Sequence, residues 1–278
     1  MKTAVNTGII EKTVGVEKAV ELIAKSGFDA WDLSLYNLEN GDNPLTKSDY
    51  LDRVRTLKRI GEDNGIKCNQ SHAPFPVSDP HIRDVIKKSI ECTAEAGGEI
   101  IVIHPDNDKS AEQNAEFYLG LLPFAKACGV KIATENMWNW NAQKDVAIKA
   151  ACSHHLDFKK HLDIISDPYF VACLDIGHAE MKGLNTSALD MINTLGSYVQ
   201  ALHIHDNDKW HDSHAVPQTM DIDFVPIIKA LKKIGYSGYF TLEVAPSAIC
   251  TQSETSILKS LKDVYNSIKR LADVFMRA

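Results

Sequence analysis

"FVACLDIGH", residues 170–178, decides the fold. Phe170 to Leu174 form an apolar run with no polar alternation, too short for an ordinary helix. That is the pattern of a strand buried on both faces. Asp175 and His178 follow at once, around Gly177, which is expected to leave room for backbone close to a site. A carboxylate and an imidazole at the end of a doubly buried strand raise one question. Do other strands deliver similar groups to the same end?

They do. Seven further apolar runs read as strands: residues 3–10, 28–35, 66–73, 99–106, 131–137, 199–206 and 239–245. Segments with helical spacing separate them, marked by Val16, Ala19, Val20 and Ile23, by Tyr50, Val54, Leu57 and Ile60, and by Val85, Ser89, Cys92 and Ala96. Phe117, Leu121 and Phe124 mark another, as do Phe224, Ile227, Ile228 and Leu231, and a last helix is expected from about Ser256 onward. Gly27, Gly65, Gly129, Gly235 and Gly238 stand where helices end before strands. Strand–helix alternation argues for parallel pairing, and eight units predict an α/β fold of one domain, a (β/α)8 TIM barrel over residues 1–278. The stretch from Trp138 to Ser166 is long and irregular, and an extra helix or a lid is expected there.

Composition bounds the function. With 278 residues, 44% hydrophobic and 24% charged, the chain has a core able to bury ionisable groups. Its net charge of −7, without a Lys/Arg-rich run, gives no footprint for a nucleic-acid backbone. The six cysteines are scattered, which suits a reducing, cytoplasmic setting better than a disulfide framework. No apolar run approaches the ~20 residues of a membrane span, and the start of the chain lacks the apolar region of a signal peptide.

The chemistry lies at the predicted strand ends. Strand three ends in Ser71-His72, strand four in His104-Pro105-Asp106, and strand five in Glu135-Asn136. Strand six gives Asp175 and His178, strand seven His203 and His205 with Asp212 and His214 in its loop, and strand eight Glu243. In a barrel these ends meet at one face. Imidazoles and carboxylates suit Zn²⁺, Mn²⁺, Fe²⁺ or Co²⁺. Left unpaired in an apolar mouth, ionised carboxylates cost several kcal/mol, which a cation offsets. Each residue alone has a plainer reading as a hydrogen-bonded core histidine or a turn former, as with Asp206, Asn207 and Asp208. Six successive strand ends of ligand type are harder to explain that way. His203 shares a face with His205 but lies deeper, so it is expected behind the ligands. His154, His155 and His161 are expected at the surface. Trp31, Trp138 and Trp140 are read either as faces for a sugar ring or as packing.

The motifs "SHAPF", "IHPD", "TENMW", "LDIGHAEM", "HIHDND", "DSHAVPQTMDIDF" and "TLEV", from Ser71 to Glu243, resemble those of the xylose-isomerase-like barrels. That superfamily joins sugar and sugar-phosphate isomerases and epimerases with apurinic-site endonucleases. The resemblance implies a shared site of Glu135, Asp175, His205 and Glu243 holding one divalent cation, with His178 beside substrate. In the endonucleases His72, His104, His178, Asp212 and His214 join them to hold three zinc ions, and this chain has a matching residue at all nine positions. It departs from the endonuclease pattern in reading Asp175-Ile176-Gly177-His178, where Asp-Thr-Cys-His is usual. After His72 it has "APFPVSD" instead of a Tyr-centred segment. It also departs from the epimerase-like branch, placing Gln218-Thr219-Met220 where a Gly-rich turn usually follows the proline.

The expected function is therefore a divalent-metal-dependent isomerase or epimerase of a sugar or sugar phosphate, working through an enediolate. Glu135 and Glu243 are the expected acid/base pair, and His178 orients a hydroxyl. The alternative is a zinc-dependent apurinic-site endonuclease. A barrel that merely binds a sugar or metal is a third reading, which the paired glutamates disfavour. Expected cofactors are Zn or Mn, with one ion or more per chain. The expected partner is a small sugar, with neither nucleic acid nor membrane, and a homodimer is left open.

Overall fold

The protein is described here by a computed structural model covering residues 1–38, 40, 41 and 43–278. Each predicted strand is present: β1 Thr3–Asn6, β2 Ala30–Ser34, β3 Lys67–His72, β4 Ile100–Val102, β5 Lys131–Glu135, β8 Phe170–Asp175, β9 Val199–His203 and β10 Phe240–Leu242. All neighbours pair in parallel in the order β10–β1–β2–β3–β4–β5–β8–β9. The ring closes on a parallel bridge between Ile204 and Leu242. Its bonds run from Ile204 N to Thr241 O at 2.9 Å and from Glu243 N to Ile204 O at 3.2 Å. The result is one domain, a TIM barrel.

Helices on the outside follow the apolar spacing. α2 (Val16–Ser26) ends at Gly27, whose φ of 110° is the left-handed conformation that glycine adopts without strain. Gly238 breaks the pattern: it is not among the positive-φ glycines. It is small for another reason, since a Cβ there would lie 2.5 Å from the Tyr236 hydroxyl and 2.9 Å from Gln200 O. The irregular stretch after Trp138 holds both a lid-like hairpin and a helix. Asn139–Asn141 (β6) pairs antiparallel with Val146–Ile148 (β7), and α6 spans His155–Ile165. Gly183 lets the hairpin dock, because a Cβ there would sit 2.1 Å from Ala147 O. Ala147, Met181 and Leu184 then pack with Trp138 and Trp140 in a small cluster of their own.

One expectation fails, and one open reading closes. His161 is buried, its Nδ1–H donating to Asp157 O at 2.8 Å and its Nε2 3.4 Å from the Asn114 amide, whereas His154 and His155 are partly exposed. It faces the core side of α6, a face that a lone histidine in a short helix does not announce. Trp31 is fully buried in the main core and lies against Gly61, so it offers no face to a sugar.

Inside the barrel, Val102, Ala133, Cys173 and Ala201 form an apolar cluster. Each stands two residues before His104, Glu135, Asp175 or His203, and so shares its face. The strands thus carry an apolar floor with polar groups directly above it.

Candidate metal centre

Strand register sets the depth of each group. Glu135 is level with Cys173, and Asp175 is level with His203. The second match depends on a register shift between Ala172 and Cys173. Without that bulge Asp175 would stand beside Leu202, and its side chain would meet the wrong face. A reciprocal clasp secures the rim: Asn136 Nδ2 donates to Asp175 O and Asp175 N donates to Asn136 Oδ1, both at 2.8 Å.

All nine predicted residues converge, in three adjoining groups whose ligand atoms lie within 4.8 Å of one another. The inner group is Glu135, Asp175, His203 and Glu243. His203 Nδ1 lies 2.9 Å from Glu135 Oε1 and 3.4 Å from Glu243 Oε2. The side group is His72, His104 and Glu135, with Glu135 Oε2 3.5 Å from His72 Nε2 and 3.2 Å from His104 Nε2. The outer group is His178, His205, Asp212 and His214. Asp212 reaches His178 Nε2 at 3.3 Å, His214 Nε2 at 3.2 Å and His205 Nε2 at 3.5 Å. His203, expected behind the ligands, joins the three carboxylates of the inner group. His205, expected among them, sits with the outer group, 3.1 Å from Asp175.

The imidazoles are oriented for coordination. Nδ1 of His72 faces Ala73 O at 2.8 Å, Nδ1 of His178 faces Asn136 O at 2.9 Å, and Nδ1 of His214 faces Glu243 O at 2.7 Å. A carbonyl can only accept, so each Nδ1 carries hydrogen and each Nε2 turns to the site. His72 Nε2 and His104 Nε2 then face each other at 2.9 Å. Glu135 Oε2, Asp175 Oδ2, His205 Nε2 and Asp212 Oδ1 are buried without a hydrogen-bond partner among the described residues. Orphaned acceptors gathered at one place are what a cation would satisfy, so these residues fit a divalent metal.

Electrostatics agree. Burial alone would raise the Glu135 carboxyl, but His203, His104 and His72 hold it well below the usual carboxylate range. Burial likewise works against ionised Glu243, and His203 and His214 bring it down to about 2. Burial would lower His178, yet Asp175 and Asp212 hold it well above an ordinary histidine. His214, raised mainly by Asp212 against burial, reaches about 9. The carboxylates therefore demand positive charge, supplied by imidazolium protons or by metal.

Gly177 is required by the outer group. A Cβ there would lie 2.0 Å from His205 Cε1. Asp206, read as a turn former, is a buried hub that accepts from the backbone N–H of Asn207, Thr219, Met220 and Ile222. It shapes the turn in which Gln218 takes φ 69° in place of a glycine. Trp138 stands 6.4 Å from the His178 ring and Trp140 5.7 Å from His211, at the edge of the site. The sequence reading missed Tyr36 and Asp32. The Tyr36 hydroxyl donates to Glu243 Oε1, and its ring meets His72 edge-on. Strand two ends without a metal-ligand residue, so the strand-end pattern passed over both. No described helix is long and apolar enough to cross a membrane.

Comparison with known proteins gives the lineage. An uncharacterised protein of Methanocaldococcus jannaschii is 24% identical over 266 residues, covering 89% of this chain and 85% of its own length. A protein of Escherichia coli provisionally described as an L-ribulose-5-phosphate 3-epimerase is 25% identical over 266 residues, covering 85% and 87%. The crystal structure of a D-tagatose 3-epimerase-like protein superposes with a TM-score of 0.75 at 20% identity, covering 100% and 99%. The family model of the xylose isomerase-like TIM barrels matches residues 20–271, and this chain belongs to that family.

Proposed function

We propose that the protein is a divalent-metal-dependent epimerase or isomerase of a sugar or sugar phosphate. The observation that carries this reading is the inner group, in which two glutamates from well-separated strands, one aspartate and one histidine surround one point. Glu135, Asp175, His203 and Glu243 would hold the metal. Bound there, a divalent cation would polarise the adjacent oxygens of a ketose and favour loss of a proton from the neighbouring carbon. Glu243 is the better placed base, because part of its side chain reaches the open mouth and Tyr36 fixes one of its oxygens. It takes the proton from the carbon beside the carbonyl. Glu135, on the inner side, would return to the opposite face a proton first passed to it from the neighbouring His72 or His104 ring, while Glu243 releases its own to solvent. His178, near Trp138, orients a hydroxyl. The epimerase descriptions of the E. coli relative and of the superposed structure support a sugar as substrate.

The test is solvent exchange. In D₂O the Mn²⁺-loaded protein should place deuterium beside the carbonyl of at least one ketose, and Glu243→Gln should abolish this. A second reading, a zinc phosphodiesterase acting on abasic DNA, is favoured by one observation: with the side and outer groups, ten candidate ligands in three adjoining groups share one mouth. Nicking of an abasic duplex by protein carrying three zinc ions, with no deuterium entering any of a broad panel of ketoses, would decide for that reading.

A further inference from the structure

We propose that Asp32 orients His203 for metal binding; this rests on the reading of His203 as a ligand. β2 carries Asp32 into the barrel, fully buried and level with Gln70. Its Oδ2 lies 3.3 Å from Gln70 Nε2 and 3.7 Å from His203 Nε2, while its Oδ1 has no hydrogen-bond partner among the described residues. A buried carboxylate with an idle oxygen is expensive to keep, and here it lies beneath one ring.

That ring faces two ways. Nδ1 points at Glu135 and Glu243, where the cation would sit, and a ligating nitrogen must offer a lone pair. The remaining ring proton then belongs on Nε2 and needs an acceptor. Two groups neighbour Nε2: the Gln70 amide nitrogen at 3.2 Å and Asp32 Oδ2. Gln70 is held as a donor there, because its Nε2 bonds Asp32 while its Oε1 accepts from Asn69 Nδ2 at 3.3 Å and Thr241 Oγ1 at 3.5 Å. Among the described residues only Asp32 brings a carboxylate to Nε2, and a movement of about 1 Å makes the contact a hydrogen bond. With the proton on Nδ1 instead, the ring donates to Glu135 at 2.9 Å, accepts from Gln70, and is closed to metal. Asp32 favours the open tautomer, so it is a positioning residue acting through His203.

The measurement is a Zn²⁺ titration of ¹⁵N-histidine-labelled protein, followed through the His203 ring nitrogens. In the parent protein, saturation should leave the proton on Nε2 and the metal on Nδ1. Asp32→Asn keeps the shape and removes the strong acceptor. It should raise the half-saturating Zn²⁺ concentration about 10–100-fold and favour the Nδ1–H tautomer in the metal-free ring. Unchanged half-saturation and an unchanged ring overturn the proposal while leaving His203 a ligand. Should Asp32→Asn fail to fold by circular dichroism, Gln70→Leu decides. Half-saturation within about threefold of the parent supports Asp32, and a loss of tenfold or more assigns the role to Gln70 and overturns the proposal. Zinc bound with no movement of the His203 signals removes the ligand reading itself, and the proposal with it.

Discussion

The inner and outer groups share a mouth but are built differently. The inner group rests on strand ends: Glu135, Asp175 and His203 are the last residues of β5, β8 and β9, and Glu243 follows β10 directly. Ladder register fixes their heights. The outer group rests largely on loops. Asp212 and His214 lie in the turn organised by Asp206, and His214 itself takes φ 43°, in the left-handed region. Strand-built sites are held by many cooperative bonds, while loop-built sites depend on a few. On the function proposed above, the strand-built inner group carries the chemistry and the loop-built outer group its adjustment.

The largest effect expected is at Glu135, which is shared between the inner and side groups. Glu135→Gln should lower deuterium exchange at least 10²–10⁴-fold and reduce metal content, read by elemental analysis. Asp175→Ala should likewise lose inner-group metal while the fold survives; full metal retention would show that the cation sits elsewhere. Next comes pH. Without metal, His178 and His214 hold protons above the usual histidine range, His214 up to about 9, and metal must displace them. As pH falls from about 9, metal affinity should drop about tenfold per unit for each proton displaced. Calorimetry in buffers of different protonation enthalpy counts these protons, and none released would contradict the assignment.

A smaller effect separates the two groups. His214→Ala should weaken only the outer group, with activity falling less than about tenfold and inner-group metal unchanged. Loss of all metal would make the two groups one unit. Smallest is Gly177→Ala, whose Cβ would collide with His205. It should destabilise by about 1–3 kcal/mol in thermal unfolding. An unchanged melting temperature would mean that the His205 ring relocates freely.

The barrel was legible because every strand announces itself by an apolar run, and six of the eight do so again by a ligand-type group at the end. Convergence of the nine ligand candidates followed from topology alone. Depth was not legible. Alternation puts His203 and His205 on one face, but the bulge between Ala172 and Cys173 decides that His203 stands level with Asp175. Nothing in the letters marks that bulge. Tyr36 and Asp32 escaped because their importance lies in contacts with residues far along the chain, Glu243 and His203. Trp31 stayed open between packing and a sugar face because an aromatic at a buried strand position reads the same whether it points inward or toward the helices, and it proves to be packing.

The single rung at Ile204 has a consequence for how the molecule breathes. β9 and β10 meet there through one bridge, so this seam is the natural place for the ring to part. His203 lies on one side of it and Glu243 on the other. An ion gripped by both would act as a rivet across the gap, so amide hydrogens along the seam should exchange more slowly once the rivet is in place.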